Sequence, residues 1–244
     1  MGQIIEDPAL DWGLRSPRRI VHWAAVAIVG VLVIGLGVWL AVRQAPAATP
    51  APPANPAVSL AKPSGYHGEA GYPIGFPRTE LGAASAATAA LEAAWTLETA
   101  DAEQAAVLYA PPEQQEAARE GANAAVQEWR AALGLPEEGD LPEGAALRTT
   151  PVGVQWTKRA GDQVLVSVLV QVDATKGTAS DEPAYSSPYA MSLLMAWRTD
   201  IRDGSAGDWV NVPDPSPAAI PPVATPGTPE FRAAGWKPIA GPTS

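Results

Sequence analysis

The sequence predicts an α+β protein: a single N-terminal transmembrane helix, followed by a domain of two to three helices packed on a curved four-stranded antiparallel sheet. Three observations carry this expectation. Residues 20–42 form a run with no Asp, Glu, Lys or Arg, in which thirteen residues are Val, Ile or Leu. As a helix this run is long enough to cross the roughly 30 Å of hydrocarbon in a bilayer. Between residues 81 and 133 apolar side chains recur at helical spacing, and beyond Leu147 the period shortens to two. Helices first and a meander of strands later is the order of an α+β domain.

Beyond Arg43 the chain holds 12 basic and 23 acidic residues, a net −11 within an overall −10. Displacing phosphate counterions needs clustered Lys and Arg, and this part of the chain has no such run, so no direct nucleic-acid binding is expected. Cysteine is absent, which excludes disulfides and thiolate metal sites. Of the 244 residues, about 130 remain for one compact core after the tail, the span and the proline-rich segments are set aside.

The predicted cytoplasmic tail covers residues 1–19. Arg15, Arg18 and Arg19 flank the span on that side, against Arg43 and the more distant Lys62 on the other. The positive-inside tendency therefore keeps the N-terminus in the cytoplasm and sends the C-terminal domain out of it, a single-pass cell-membrane topology. Trp23 and Trp39 lie near opposite ends of the run, where indoles favour the headgroup zone, and His22 sits just inside the cytoplasmic edge, where a neutral imidazole can reach water. Ala45-Pro46-Ala47 has the spacing of a signal-peptidase site, but the apolar run exceeds the 7–15 residues of a signal core. An uncleaved anchor is expected. Residues 43–78 carry eight prolines and few large apolar side chains, which predicts an extracytoplasmic spacer reaching on the order of 100 Å when extended. Ser59-Leu60-Ala61-Lys62 has the form of a penicillin-binding nucleophile motif, but its companion motifs are missing.

The domain is expected over residues 79–212. Leu81, Ala84, Thr88, Leu91 and Trp95 recur at helical spacing in an alanine-rich stretch, with Thr79 as the cap. Asp101-Ala-Glu-Gln104 reads as a capping box for a second short helix ending near Tyr109. A third runs from Glu113 to Leu133, with Ala118, Ala122, Val126, Trp129 and Leu133 on a face suited to a sheet. Arg119, Asn123, Gln127 and Arg130 take the polar face, and Gly134 ends the helix. Glu137, Glu138, Asp140 and Glu143 read as a solvated loop, since Pro136 and Pro142 interrupt any calcium-loop pattern. In the strand half, Val152, Val154 and Trp156 alternate with polar or small residues, Arg159 to Asp162 supplies a turn, and Val164 to Val172 alternate along a second strand. After a long polar loop, Tyr189 to Trp197 and then Trp209 to Val212 complete four strands. Residues 213–244 hold nine prolines and read as an irregular tail, whose Phe231 and Trp236 are expected to dock on the domain or on a partner.

Leu194-Met195-Ala196-Trp197-Arg198, a polar turn and Gly207-Asp208-Trp209-Val210-Asn211-Val212 resemble the closing hairpin of cone-shaped domains similar to nuclear transport factor 2. Together with the anchor, the spacer and Gly71-Tyr72-Pro73-Ile74-Gly75-Phe76-Pro77-Arg78-Thr79, the chain resembles TcpC-like bitopic assembly proteins of actinobacterial conjugation and type IV secretion systems. The resemblance covers roughly residues 71–212. It implies a non-catalytic scaffold in the lipid bilayer, whose extracytoplasmic domain contacts other membrane or channel subunits and copies of itself. It carries over no catalytic, metal-binding or cofactor residues.

The residues themselves agree with that expectation on catalysis. The two histidines, His22 and His67, lie in the span and the spacer, no nucleophile motif or metal-ligand pair is present, and Asp173, Asp181 and Asp200 fall at strand ends or loops. No cofactor is expected. Trp95, Trp129, Trp156, Met191, Trp197 and Trp209 are the candidate lining or core of the cone. A side-chain-filled cone would fit assembly, whereas an open apolar cavity would fit the alternative of an envelope accessory module holding an apolar ligand.

Overall fold

The computed structural model of the chain describes residues 55–159, 161–178, 185–202 and 207–241. The predicted tail and span lie outside the described residues. Among the described residues no helix is long and apolar enough to cross a membrane. The elements are β1 (Gly65–His67), β2 (Tyr72–Ile74), α1 (Glu80–Ala94), α2 (Thr99–Tyr109), α3 (Gln115–Leu133), β3 (Ala145–Lys158), β4 (Gln163–Lys176), β5 (Tyr185–Arg198), β6 (Asp208–Val212), α4 (Pro229–Ala233) and β7 (Lys237–Pro238). The fold is α+β. Its main sheet has five antiparallel strands in the order β6-β5-β4-β3-β7, and β1 and β2 form a separate hairpin.

Helix α1 starts where Thr79 Oγ1 accepts the Gly82 amide at 3.0 Å, the cap expected from the sequence. Every residue from Gly82 to Leu91 is buried, because α1 lies between the sheet on one side and α2 and the 55–61 segment on the others. A helix apolar on all sides has no polar stripe and must be enclosed. Gly82 is required here: a Cβ at this position would lie 1.8 Å from the Pro77 carbonyl oxygen.

Helix α2 begins at Thr99, two residues before the expected capping box, and its N-cap Glu98 makes no side-chain cap. Asp101 instead sits inside the first turn, where a carboxylate complements the helix dipole. Helix α3 ends at Gly134 in the left-handed conformation (φ 68°), as expected. It does not lie on the sheet along its length. Its first half packs on α2 through Ala118, Ala122 and Val126 against Ala102, Ala106 and Ala110, and Trp129 and Leu133 alone reach the main core. Small residues let two helices approach closely, which favoured this partner over the sheet. Arg130, assigned to the solvent face, is buried: its Nε donates to the Leu97 carbonyl at 2.8 Å and its guanidinium to that of Gly139 at 2.9 Å. These bonds tie together the two loops that flank α2 and α3.

The strands β3 and β4 form the expected hairpin, and Val164, Val166, Val168, Val170 and Val172 all face the core. A bulge between Pro151 and Gly153 breaks the alternation in β3. Val152 therefore packs with Leu169 on the outer face while Val154 points to the core, where the sequence reading had placed both on one side. Strand β5 starts at Tyr185, not Tyr189, and Pro188 is tolerated because β6 pairs only with Leu194 to Arg198, leaving β5 a free flank at the proline.

Part of the predicted spacer, expected to stand apart, is folded onto the domain, and the tail docks on the domain itself, one of the two outcomes expected for it. In the predicted spacer, residues 55–78 contain the β1–β2 hairpin, and Ala61 N donates to Ser85 Oγ at 2.8 Å. Val58 bridges Ile239 in parallel, through Val58 N to the Pro238 carbonyl (2.8 Å) and Ala240 N to the Val58 carbonyl (2.9 Å). The tail supplies the fifth strand, β7, against Gly153 and Val154, which raises the sheet from the expected four strands to five. Phe231 and Trp236, 1% and 0% exposed, dock on the domain itself, covering Leu169. A Cβ at Gly153 would meet the Phe231 ring at 3.0 Å, so the missing side chain makes room for the tail.

Candidate functional site

The interior between helices and sheet is the place the sequence singled out, and it is occupied by the protein's own side chains. Trp95, Trp129, Met191 and Trp209 are buried in the main core, and Trp156 and Trp197 pack against it half-buried. At one end Trp95 lies 5.7 Å from Trp129 and 5.7 Å from Tyr189, and Trp129 packs edge-on to Tyr189 (5.6 Å) and Tyr185 (6.0 Å), ring centre to ring centre. These are contact distances for aromatic pairs. The hydroxyls of Tyr185 and Tyr189 are hydrogen-bonded to each other. Burial, then the bond from Tyr185, pushes the Tyr189 hydroxyl well above its ordinary range, so it remains protonated. At the other end Trp197 and Trp209 meet at 5.4 Å, edge to face. Trp156 stands apart from both groups, covered by the Lys237 ammonium 3.9 Å from its ring centre. The five tryptophans thus form two aromatic groups and a flank of one core, to which Met191 also belongs, rather than a single lined chamber.

The structure joins the segment 71–79 to strand β6. Asp208, 1% exposed, accepts the Gly75 amide (2.8 Å) on one carboxylate oxygen and the Phe76 amide (3.3 Å) on the other. It also takes the Arg202 Nε at 2.7 Å and its neighbour's amide, Trp209 N, at 2.9 Å. Trp209 Nε1 donates to the Pro77 carbonyl at 2.8 Å, and the Tyr109 hydroxyl to that of Pro73 at 2.8 Å. Burial raises the Tyr109 hydroxyl far above its usual range, which keeps it a donor. The turn works because Gly75 is left-handed (φ 71°) and Ser64 Oγ occupies the place of its Cβ. The carboxylate thus pins the segment leading into α1 onto strand β6. Sequence reading recognised both stretches, but a contact spanning more than 130 positions leaves no local signal of the bond between them.

Outside the core, a groove of about 470 Å³ runs between α2, α3 and residues 201–202, with His67, Glu103, Arg119 and Arg202 around Val107 and Leu108. Its charges are engaged: Arg119 pairs with Glu116 and lies 3.8 Å from Glu103, and Arg202 holds Asp208. Asp173 accepts from Ser186 Oγ at 2.6 Å, and Asp200 is bound by Arg198 through 2.7 and 2.9 Å contacts. Asp181 lies outside the described residues, as do Arg15, Arg18 and Arg19. Among the described residues no group of three or more His, Asp or Glu side chains is placed to hold a metal ion.

Arg198 also bonds Glu113 at 2.8 Å, tying the short 3-10 turn before α3 to the end of β5. Hydrogen bonds hold both carboxyls below their ordinary range: for Glu113 its own backbone amide and then Arg198, for Asp200 chiefly Arg198. A carboxyl whose folded pKa is depressed stabilises the fold above its unfolded pKa, and that contribution is lost as pH falls through the folded value. Arg198→Ala is therefore expected to lower the melting temperature slightly at pH 7 and to make its decline between about pH 5 and 3 shallower. All three groups are solvent-exposed enough that the effect is small. Thermal melts of both proteins across that range check it.

No family model matches the chain, and the searches of curated proteins and of solved structures likewise return no match.

Proposed function

We propose that the chain is a non-catalytic, membrane-anchored assembly component of a conjugative DNA-transfer or secretion complex, acting through protein contacts of its extracytoplasmic domain. Residues 20–42 are its single span, residues 1–19 its cytoplasmic tail, and the folded part beyond Asn55 a cone-like module of the kind the closing hairpin resembles. The observation that carries the reading is the filled interior. Trp95, Trp129, Tyr185 and Tyr189 pack on one another between helices and sheet, which leaves the surface as the working part. The same packing speaks against an apolar ligand held in the cone. The Asp208 clamp supports the reading in a second way, because it joins the two stretches on which the likeness to TcpC-like proteins rests.

The partners in this reading are other membrane or channel subunits and further copies of the chain. Chemical crosslinking in intact membranes, followed by identification of what is covalently joined to the chain, tests it. Adducts with other envelope proteins or with itself are expected, and recovery of the monomer alone would overturn the proposal.

A further inference from the structure

The geometry points to a lipid contact: we propose that the loop 216–227, tipped by Ile220 and Val223, rests in the headgroup region of the membrane to which the chain is tethered. This inference rests on the anchor reading above and adds to it the surface that faces the bilayer. In a strongly acidic domain, residues 216–227 read Ser-Pro-Ala-Ala-Ile-Pro-Pro-Val-Ala-Thr-Pro-Gly, with no ionisable side chain. Ile220 and Val223 are 50% and 47% exposed, and with Tyr66 they are the exposed large hydrophobic residues among those described.

The loop is held in place. The Pro222 carbonyl accepts from Trp236 Nε1 at 2.9 Å, the Thr225 carbonyl from Thr228 Oγ1 at 2.8 Å, and the Gly227 carbonyl from Arg232 at 3.2 Å. Prolines 217, 221, 222 and 226 fix φ at four positions, so presenting the two aliphatic side chains costs little further ordering.

The position of the loop selects the occupant. Trp236, whose indole holds Pro222, accepts Asn55 Nδ2 on its carbonyl at 2.9 Å. Asn55 is where the described domain receives the chain coming from the predicted span, which ends at residue 42. The twelve intervening residues can reach at most roughly 40 Å however they are arranged. The surface beside Asn55 is therefore the part of the domain the tether brings to the bilayer most readily, and the uncharged tip is on it. Arg232 stands at the base of the loop, where it donates to the Gly227 carbonyl, and a guanidinium there suits phosphate oxygens at headgroup depth. Two aliphatic side chains bind a membrane weakly alone, but a tethered domain meets it at high effective concentration.

The chain has no cysteine, so single-cysteine labelling is direct. Ile220→Cys, and Ala124→Cys on the exposed face of α3 as reference, carry an environment-sensitive fluorophore in the full chain reconstituted into phosphatidylcholine–phosphatidylglycerol vesicles, with or without nitroxide-bearing lipid. We expect emission at 220 to be blue-shifted and quenched by the nitroxide roughly twofold more than at 124. A chain that floats with the vesicles while its label at 220 is quenched no more than at 124 overturns the proposal and leaves the anchor intact. Blue-shifted emission without lipid quenching also overturns it, because a protein then covers the loop. A chain that does not float overturns the anchor reading and this inference with it.

Discussion

Asp208→Ala destabilises the domain by about 3–5 kcal/mol, the usual cost of removing one member of a buried ion pair. The side chain is 2% exposed and serves four donors, so its loss removes the bond to Arg202 Nε and leaves the amides of Gly75 and Phe76 without their acceptor. The segment that enters α1 then loses its hold on strand β6, apart from the Trp209 indole bond to Pro77. Asp208→Asn keeps the shape and an acceptor oxygen but loses the charge, and is expected to cost about 1–3 kcal/mol. Urea unfolding of the full chain in detergent micelles measures both. Hydrogen exchange at Gly75 and Phe76 separates the local release from a general loosening, and an Asp208→Ala protein as stable as the parent would show that the clamp contributes nothing.

Trp236→Ala is expected to cost a similar amount, about 3–5 kcal/mol, from the lost burial of a large side chain and the cavity left behind. The residue is fully buried in a tail that composition alone marks as irregular. Its loss uncovers Leu169, frees Phe231, and removes the indole bond to Pro222. The parallel bridge between Val58 and Ile239 depends on the same tail. Proteolysis of the variant should therefore nick both the 55–61 and 213–240 segments faster than in the parent, and resistance equal to the parent's would show that the tail is not part of the fold.

The elements with an internal period were legible. Apolar spacing located α1, α3 and β4, the 79 and 134 positions gave a cap and a stop, and the alternation along residues 164–172 named the core face of the sheet. What failed was whatever depends on distant chain. The pairing of Val58 with Ile239 joins positions 181 apart, and β7 is two residues long, so neither leaves a periodic trace in the sequence. Proline content was read as an absence of structure. Prolines do forbid ladder donors, but they fit where the chain crosses a sheet face or ends an edge, as at Pro188, Pro222 and Pro238.

The candidate site divides the same way. Five tryptophans and Met191, at strand and helix spacing, were recognised as core or lining, and all six are core or pack against it. Composition cannot say which of them touch, because Trp129 reaches Tyr185 and Tyr189 only through the turn of α3 over the sheet. Arg130 was misplaced for a related reason. A guanidinium can be buried when backbone carbonyls of two loops receive it, and loop carbonyls have no signature in a sequence.

Where the folded part lies decides the proposed role. Tyr66, 70% exposed, offers a reporter on the domain surface that needs no other cysteine removed. In intact cells whose outer barrier admits small reagents, a Tyr66→Cys chain should react with a maleimide that cannot cross the cell membrane. Labelling that appears only after the cells are broken would put the domain on the cytoplasmic side and contradict an extracytoplasmic scaffold.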